Sequence, residues 1–376
     1  MIRETNRAGT ATQESKTTFQ LVDSDVHCYA RDGLRDVLPY MSVAWRRRFE
    51  IKGLDLNEDA LSYRFANPHE GGALRKDARP PGGGSSGSDP AFLVEHHLNR
   101  YGIDCAVLNN LQVLSLAAVQ AQPDESVILC SAFNDYFLEH WLPADPRFRY
   151  AATVPVQDPQ KAAAEIRRLG GEKGVVAIFL PLIYMPIGNR YYYPIYEEAE
   201  RLGLPVIVHP TSTDFIFQGA GINPAGWAET YSEFYTSIPV MAWTSFASLV
   251  LSGTLERFPS LKVVFIEWGF SWALPMLWRM EKAWQSCRFE IPWVKRSPIE
   301  YAHKHVRLTT QPVDEPSNPK DLYKVVEMLG VDMLLFSSDY PHWDGDTPEK
   351  VLPGLTAEQK RDVMSRNAME WFPLTK

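Results

Sequence analysis

Eight apolar runs constrain this chain more than any other feature: 19–27, 105–111, 149–156, 175–182, 204–210, 261–269, 306–312 and 333–342. Most are rich in Val, Ile, Leu and Phe, as strands buried on both faces of a parallel sheet are. Helical patterns fall between several of them. Residues 159–169 place apolar side chains at helical spacing, and 197–202 close a helix before Gly203. Residues 271–284 form an aromatic-rich helix and 320–329 an amphipathic one. Strands alternating with helices make βαβ units. Eight such units predict an α/β fold, a (β/α)8 TIM barrel, and 376 residues suit that barrel with insertions. A single domain is expected over 19–376. Residues 1–18 are polar, lack a signal-peptide core and read as a disordered tail.

The strand ends carry the chemistry. The first run finishes in Asp25-Val26-His27, and residues two apart on a strand share a face. One carboxylate and one imidazole therefore aim at a common point. The fifth run ends in His209, the sixth in Glu267 and the eighth in Asp339, with His342 just beyond. Taken singly, Asp339 reads as a turn or cap residue and Glu267 as an ion-pair partner of Arg279. Four such endings in one chain favour a shared metal centre at the C-terminal rim, where barrels of this kind gather their active groups.

Asp25, His27, His209, Glu267 and Asp339 are the expected metal ligands. Asp339, His342 and Glu267 are the expected catalytic groups, with a second role for His342 in orienting Asp339. Three carboxylates, two imidazoles and no thiolate suit iron or manganese better than a structural zinc. Bridging carboxylates also allow two ions, at about 3.5–4 Å. Glu229 and Glu233, four apart on an expected helix, read as surface residues ahead of ligands.

Two insertions interrupt the barrel, after strands one and five. The first, 28–104, contains the low-complexity run 79–88 and is expected to be mobile and to cover the mouth. The second, 210–260, carries Phe215, Phe217, Trp227, Tyr231, Phe234, Tyr235 and Trp243. These suit either the walls of an apolar substrate pocket or helix-to-barrel packing.

Composition excludes some partners. The net charge of −8 leaves no basic excess for nucleic acid. Arg46, Arg47 and Arg48 read as a solvated helix face, or as a clamp for an anionic carrier. No apolar run reaches the length of a membrane span. Four cysteines without CxxC spacing (Cys28, Cys105, Cys130 and Cys287) suit a reducing, cytoplasmic setting.

Asp25-Val26-His27 resembles the first-strand motif of the amidohydrolase superfamily. The resemblance continues in Leu204-Pro205-Val206-Ile207-Val208-His209-Pro210, in Arg257-Phe258-Pro259 with the following run to Glu267, and in Ser337-Ser338-Asp339-Tyr340-Pro341-His342. It is specific to the amidohydrolase-related branch, which includes many non-oxidative decarboxylases. It implies a barrel with metal on Asp25, His27, His209 and Asp339. The chain departs from that branch at Phe265-Ile266-Glu267-Trp268-Gly269, where a histidine is usual. It also lacks a lysine or glutamate in 175–182.

This carboxylate-enriched variant is similar to TIM-barrel non-haem diiron monooxygenases thought to act largely on CoA-linked substrates. That similarity sets the leading expectation: a two-iron monooxygenase hydroxylating an apolar acyl substrate, with CoA-linked acyl groups among the candidates. The alternative is a metal-dependent hydrolase or non-oxidative decarboxylase, with manganese or zinc as the other ions. A scaffold without activity comes third. Related barrels commonly dimerise, so a homodimer is also an expectation.

Overall fold

The computed structural model describes residues 19–53, 73–183, 185–210 and 228–375. Eight parallel strands lie in chain order around one sheet. They are β1 (Val22–His27), β2 (Cys105–Asn109), β3 (Phe148–Thr153), β4 (Val175–Leu180), β5 (Val206–Val208), β6 (Val263–Phe265), β7 (Val306–Thr309) and β8 (Leu334–Leu335). The chain beyond β8 closes the ring. The Ser24 N–H donates to the Phe336 carbonyl at 3.0 Å, the His27 N–H to Tyr340 at 2.7 Å, and the Asp339 N–H to Asp25 at 3.1 Å. The architecture is the (β/α)8 barrel that the eight apolar runs require.

Alternation along the strands sorts the core in two. Val107, Phe179, Ile207, Val264, Ile266 and Leu335 pack together inside the barrel, with Trp371, Phe372 and Leu374 of the C-terminal segment. Leu108, Ile178, Val206, Val208, Phe265, Leu308 and Leu334 face the surrounding helices. The C-terminal segment shuts the end of the barrel opposite the strand C-termini. Arg307 stacks 3.9 Å from the Trp371 ring centroid. Lys262 donates to the carbonyls of Glu370 at 2.9 Å and Trp371 at 3.1 Å. Arg149 donates to the Leu374 carbonyl at 2.6 Å. Conserving that end for packing leaves the other end for chemistry.

Part of the first insertion is tied to β1 and to the chain after β8. The Tyr29 N–H donates to the Gly87 carbonyl at 3.0 Å, the Arg75 N–H to Pro341 at 2.9 Å, and the Trp343 N–H to Ala73 at 3.0 Å. The Ser86 hydroxyl donates to the Arg75 carbonyl at 2.7 Å and Ser86 is buried. Gly87 has φ +78°, and a Cβ there would stand 2.9 Å from the His27 carbonyl oxygen, so only glycine fits against β1.

The second insertion divides. Phe215, Phe217 and Trp227 lie outside the described residues. Tyr231–Ser237 and Pro239–Leu251 are helices. Together they make a stretch of 21 residues long and apolar enough, by length and composition, to cross a membrane, which corrects the expectation of no such run. Here Phe246 packs on Phe265 and Trp272, with ring centroids 5.7 and 5.8 Å apart, as an outer helix of a barrel wall does. Glu233 completes a capping box with Thr230 and accepts the Glu229 N–H at 2.8 Å. Both glutamates therefore serve a helix start.

Candidate metal centre

Six side chains singled out by the sequence meet at the C-terminal rim. Ligand-capable atoms of Asp25, His27, His209 and Glu267 all lie within 4.8 Å of one another. His27, Glu267, Asp339 and His342 form a second, overlapping group by the same measure. Within the cluster, His27 Nε2 is 2.8 Å from Asp339 Oδ1, 3.5 Å from Glu267 Oε2 and 3.6 Å from Asp25 Oδ1. His209 Nε2 is 2.6 Å from Glu267 Oε2 and 3.9 Å from Asp25 Oδ2. His342 Nδ1 is 2.6 Å from Asp339 Oδ1.

Each group arrives by a different local device. The register of β1 against β2 shifts between Asp23 and Val26. Past that bulge Val26 packs outward, so Asp25 and His27 face the interior together, as bulges near sites commonly arrange. His209 continues the inward face of β5 set by Ile207. Glu267 does not follow alternation. Ile266 faces in and Phe265 out, so a regular strand would turn Glu267 outward. Its backbone instead takes φ +62°, and Asp339 takes φ +56°. Left-handed backbone at a residue with a Cβ is strained by about 1–2 kcal/mol, and its usual place is a functional site. The Glu267 N–H is held by Thr309 Oγ1 at 3.1 Å.

The fit to a metal ion rests on atoms left without partners. Asp25 Oδ2, His209 Nε2 and Glu267 Oε2 are buried and have no hydrogen-bond partner. The close approach of His209 to Glu267 lacks hydrogen-bond alignment. Nδ1 of His27 lies 3.2 Å from the Asn109 carbonyl, and Nδ1 of His209 lies 2.5 Å from the Pro210 carbonyl. With the proton on Nδ1, each Nε2 presents a lone pair to the centre. Ligands about 2.1 Å from one ion sit roughly 3 Å apart at right angles, close to several separations found here. Four oxygen and nitrogen donors without sulfur suit a hard-to-borderline divalent ion.

Electrostatics points the same way. Burial is the main reason that Asp25 is pushed up to about 6, with Asp339 and Glu267 adding to it against the two histidines. Burial opposes charge on His27, yet Asp25, Asp339 and Glu267 outweigh it and raise its pKa well above the ordinary value. His342 is raised in the same sense, burial being overcome by Asp339. Burial also works against an ionised Glu267, but His209 and His27 hold its carboxyl far below the usual carboxylate range. Three acids crowded among imidazoles need positive charge, which either protons or a cation can supply.

Amide side chains that the sequence reading missed hold the carboxylates. Asn109 Nδ2 donates to Asp25 Oδ1 at 2.8 Å, and Gln311 Nε2 donates to Asp339 Oδ2 at 2.9 Å. Both stand at the polar ends of apolar runs, the signal that marked the charged residues. Beside His342, Trp343 Nε1 donates to the Tyr231 hydroxyl at 3.0 Å, and the Tyr235 hydroxyl donates to Asp344 at 2.8 Å. Burial, with Asp344, Glu267 and Asp339 nearby, raises the pKa of both tyrosines. An anion clamp from the arginine triplet does not form with Arg46 or Arg48. Arg46 donates to the carbonyls of Met41 and Pro39, and Arg48 to Glu125. Glu267 lies in the centre and not in an ion pair with Arg279.

A family model described as amidohydrolase matches residues 22–374. The gamma-resorcylate decarboxylase of Polaromonas is 27% identical over 264 residues, 65% of this chain and 74% of that protein. The 2-amino-3-carboxymuconate-6-semialdehyde decarboxylase of Dictyostelium discoideum is 24% identical over 301 residues, 76% of this chain and 77% of that protein. Among solved structures, the dihydroxybenzoic acid decarboxylase of Polaromonas, with bound manganese and 2-nitroresorcinol, superposes with a TM-score of 0.63 at 18% identity, over 95% of this chain and 97% of that one. These relatives are carboxy-lyases. They overturn the reading of the chain as a two-iron monooxygenase and, with it, the oxidoreductase class and iron as the leading ion. At Glu267 the extra carboxylate belongs to both four-group clusters, so its presence does not by itself select oxygen chemistry. From residue 22 to residue 374 the chain belongs to the amidohydrolase family, in the branch that includes decarboxylases.

Proposed function

We propose that the protein is a metal-dependent, non-oxidative decarboxylase of an aromatic carboxylic acid. The observation that carries this reading is the pairing, at one rim, of an Asp25–His27–His209–Glu267 cage with an adjoining Asp339–His342 pair, whose Asp339 Oδ1 stands 2.8 Å from His27 Nε2. The cage would hold one divalent ion. Manganese is the leading candidate, supported by the manganese in the Polaromonas decarboxylase, with zinc as the other. When bound, the ion supplies a fixed positive charge that binds an anionic substrate and stabilises charge developing in it.

The remaining work falls to side chains. Asp339 and His342 share a proton across 2.6 Å, and Gln311 holds the far oxygen of Asp339 in place. That proton goes to the ring carbon bearing the carboxylate. A C–H bond forms, the bond from the ring to the carboxylate carbon breaks, and its electron pair restores the aromatic ring. Carbon dioxide leaves, and no electrons are gained or lost overall. His342, slightly open to solvent, takes the next proton from water. Trp343, Tyr231 and Tyr235 give a planar ring an aromatic wall, and the strap formed by 73–88 limits water at the β1 side.

A small aromatic acid replaces the acyl-CoA of the earlier expectation, because Arg46 and Arg48 are committed within the protein. A cytoplasmic setting is proposed from four free cysteines, three of them buried. A homodimer is proposed from the exposed Trp278, Phe289 and Trp293, and solution scattering tests it.

The chemical test is anaerobic. Protein stripped of metal and reloaded with Mn2+ is incubated with a panel of hydroxybenzoates in D2O. The expected result is release of carbon dioxide and a phenol carrying deuterium at the vacated carbon, with no turnover by the stripped protein. Product that needs dioxygen, or a hydrolysed product without carbon dioxide, overturns the reading.

A further inference from the structure

Within the first strand, successive acidic residues point to different places. Asp25 enters the centre, while Asp23, on the other side of the bulge, turns to His97 in the helical segment 90–100. Asp23 is fully buried. Its Oδ1 accepts two backbone N–H groups, from Asp25 at 3.2 Å and from Ser338 at 2.9 Å. Its Oδ2 lies 2.9 Å from His97 Nε2. That same nitrogen is 3.1 Å from the Ser338 hydroxyl oxygen, which accepts the Tyr340 N–H at 3.1 Å. One carboxylate therefore ties together β1, the chain after β8 and an outer helix.

The outer helix is shaped for this contact. Val94–Asn99 is a π turn, a local widening common where a helix must aim side chains at a site. It brings two consecutive histidines onto one residue. The His97 ring stacks on Tyr340 with centroids 4.5 Å apart, and His96 Nδ1 is 3.2 Å from the Tyr340 hydroxyl. A buried carboxylate is costly unless fully paired. The groups that satisfy Asp23 are the backbone of Asp25 and the residue before Asp339, together with His97.

We infer that the Asp23–His97–Ser338 network is a positioning device that sets the metal affinity of the centre. It rests on the metal reading of the Asp25–His27–His209–Glu267 cage. Among the described residues His97 reaches that cage through Asp23 and Ser338. Its N–H fixes the Asp23 carboxylate, Asp23 fixes the backbone of Asp25 and Ser338, and these set the directions of the Asp25 and Asp339 side chains. The strained φ of Asp339 is thus held from behind, by a group with no part in the proton transfer.

The test is Mn2+ binding by the full chain after metal stripping, read from the EPR signal of free Mn2+. His97→Ala is expected to weaken Mn2+ binding about 10–100-fold, the range for groups that orient ligands from behind. His97→Gln, whose amide can still donate to Asp23, recovers part of that loss. Leu169→Ala removes a buried side chain on a helix away from the rim, and it leaves Mn2+ affinity unchanged despite its stability cost. Should His97→Ala not fold, Ser338→Ala removes only the hydroxyl and is expected to weaken binding several-fold. Wild-type affinity in folded His97→Ala, or an equal loss in Leu169→Ala, overturns the inference while leaving the cage intact. A wild-type protein that takes up no Mn2+ overturns the cage itself and this inference with it.

Discussion

On the β1/β8 side of the centre, protein groups already hold the carboxylates: Asn109 donates to Asp25, Gln311 and His342 to Asp339, and Asp23 with His97 fixes the backbone behind both. On the β5/β6 side, Glu267 Oε2 and His209 Nε2 face each other at 2.6 Å with no hydrogen-bond partner. The first side is organised by the fold. The second, with Asp25 Oδ2 from the first, is left for whatever the centre binds, and left-handed backbone occurs on both sides, at Glu267 and at Asp339. A bound cation would therefore exert its main ordering effect on β5 and β6.

The sharpest way to break that contrast is to compare one carboxylate from each side. Glu267→Ala is expected to lose Mn2+ by more than roughly 100-fold and to abolish turnover, because the centre loses both a donor and a negative charge. Asp339→Asn is expected to keep Mn2+ within about tenfold, since the four cage groups remain and the Gln311 side chain still faces residue 339. Its turnover should fall by about 10²–10⁴, the usual worth of a positioned proton donor. Mn2+ titration and carbon dioxide release, measured on both variants, check this. Similar metal loss in both would erase the distinction between cage and proton pair.

A second comparison sets the mouth against the closed end. Trp371 fills the interior beneath Val264 and Leu335 and receives Arg307 on its face. Trp371→Ala is expected to cost about 3–5 kcal/mol of stability, as large-to-small changes in a core do, with Mn2+ affinity unchanged. Denaturant melts alongside Mn2+ titration decide it. Metal removal is expected to do the converse at smaller scale. An ion at 100 times its Kd stabilises by about 2.7 kcal/mol. Chelation should lower the melting temperature and speed hydrogen exchange at 206–210 and 263–269, while 22–27 and 336–340 stay protected. Uniform loss of protection would show that both sides depend on the ion.

The same contrast explains what the sequence could reveal. The barrel was legible because most of its strands lie in runs rich in apolar residues, and Asp25, His27, His209 and Asp339 were legible because they stand at the ends of such runs. Asn109 and Gln311 sit at equivalent ends but carry no charge, so a search for metal ligands passed over them. Asp23 was hidden by the bulge, which sends it to His97 although it lies two residues from Asp25. The run 79–88 reads as loose by composition, which says nothing of how closely Gly87 fits against the His27 carbonyl. The reaction was the least legible feature. A carboxylate in place of a histidine suits both oxygen chemistry and decarboxylation, and only relatives distinguished them.

Glu267 is the place where sequence and structure part most instructively, and it yields the smallest measurable effect. Alternation from Phe265 sends position 267 outward, and φ +62° brings it back. That conformation costs a side chain with a Cβ about 1 kcal/mol relative to glycine, whereas glycine adopts it freely. Glu267→Gly and Glu267→Ala should therefore be equally unable to hold Mn2+. In the presence of chelator, however, the glycine variant should be the more stable of the two by about 1 kcal/mol, offset in part by the greater freedom of its unfolded chain. Paired denaturant melts of the metal-free proteins measure the difference. An alanine variant as stable as the glycine variant would mean that the backbone at 267 relaxes once the carboxylate is gone. The left-handed turn would then be imposed by Glu267's own contacts with His209 and His27, and the β5/β6 side would owe its shape to those side chains rather than to the strand that carries them.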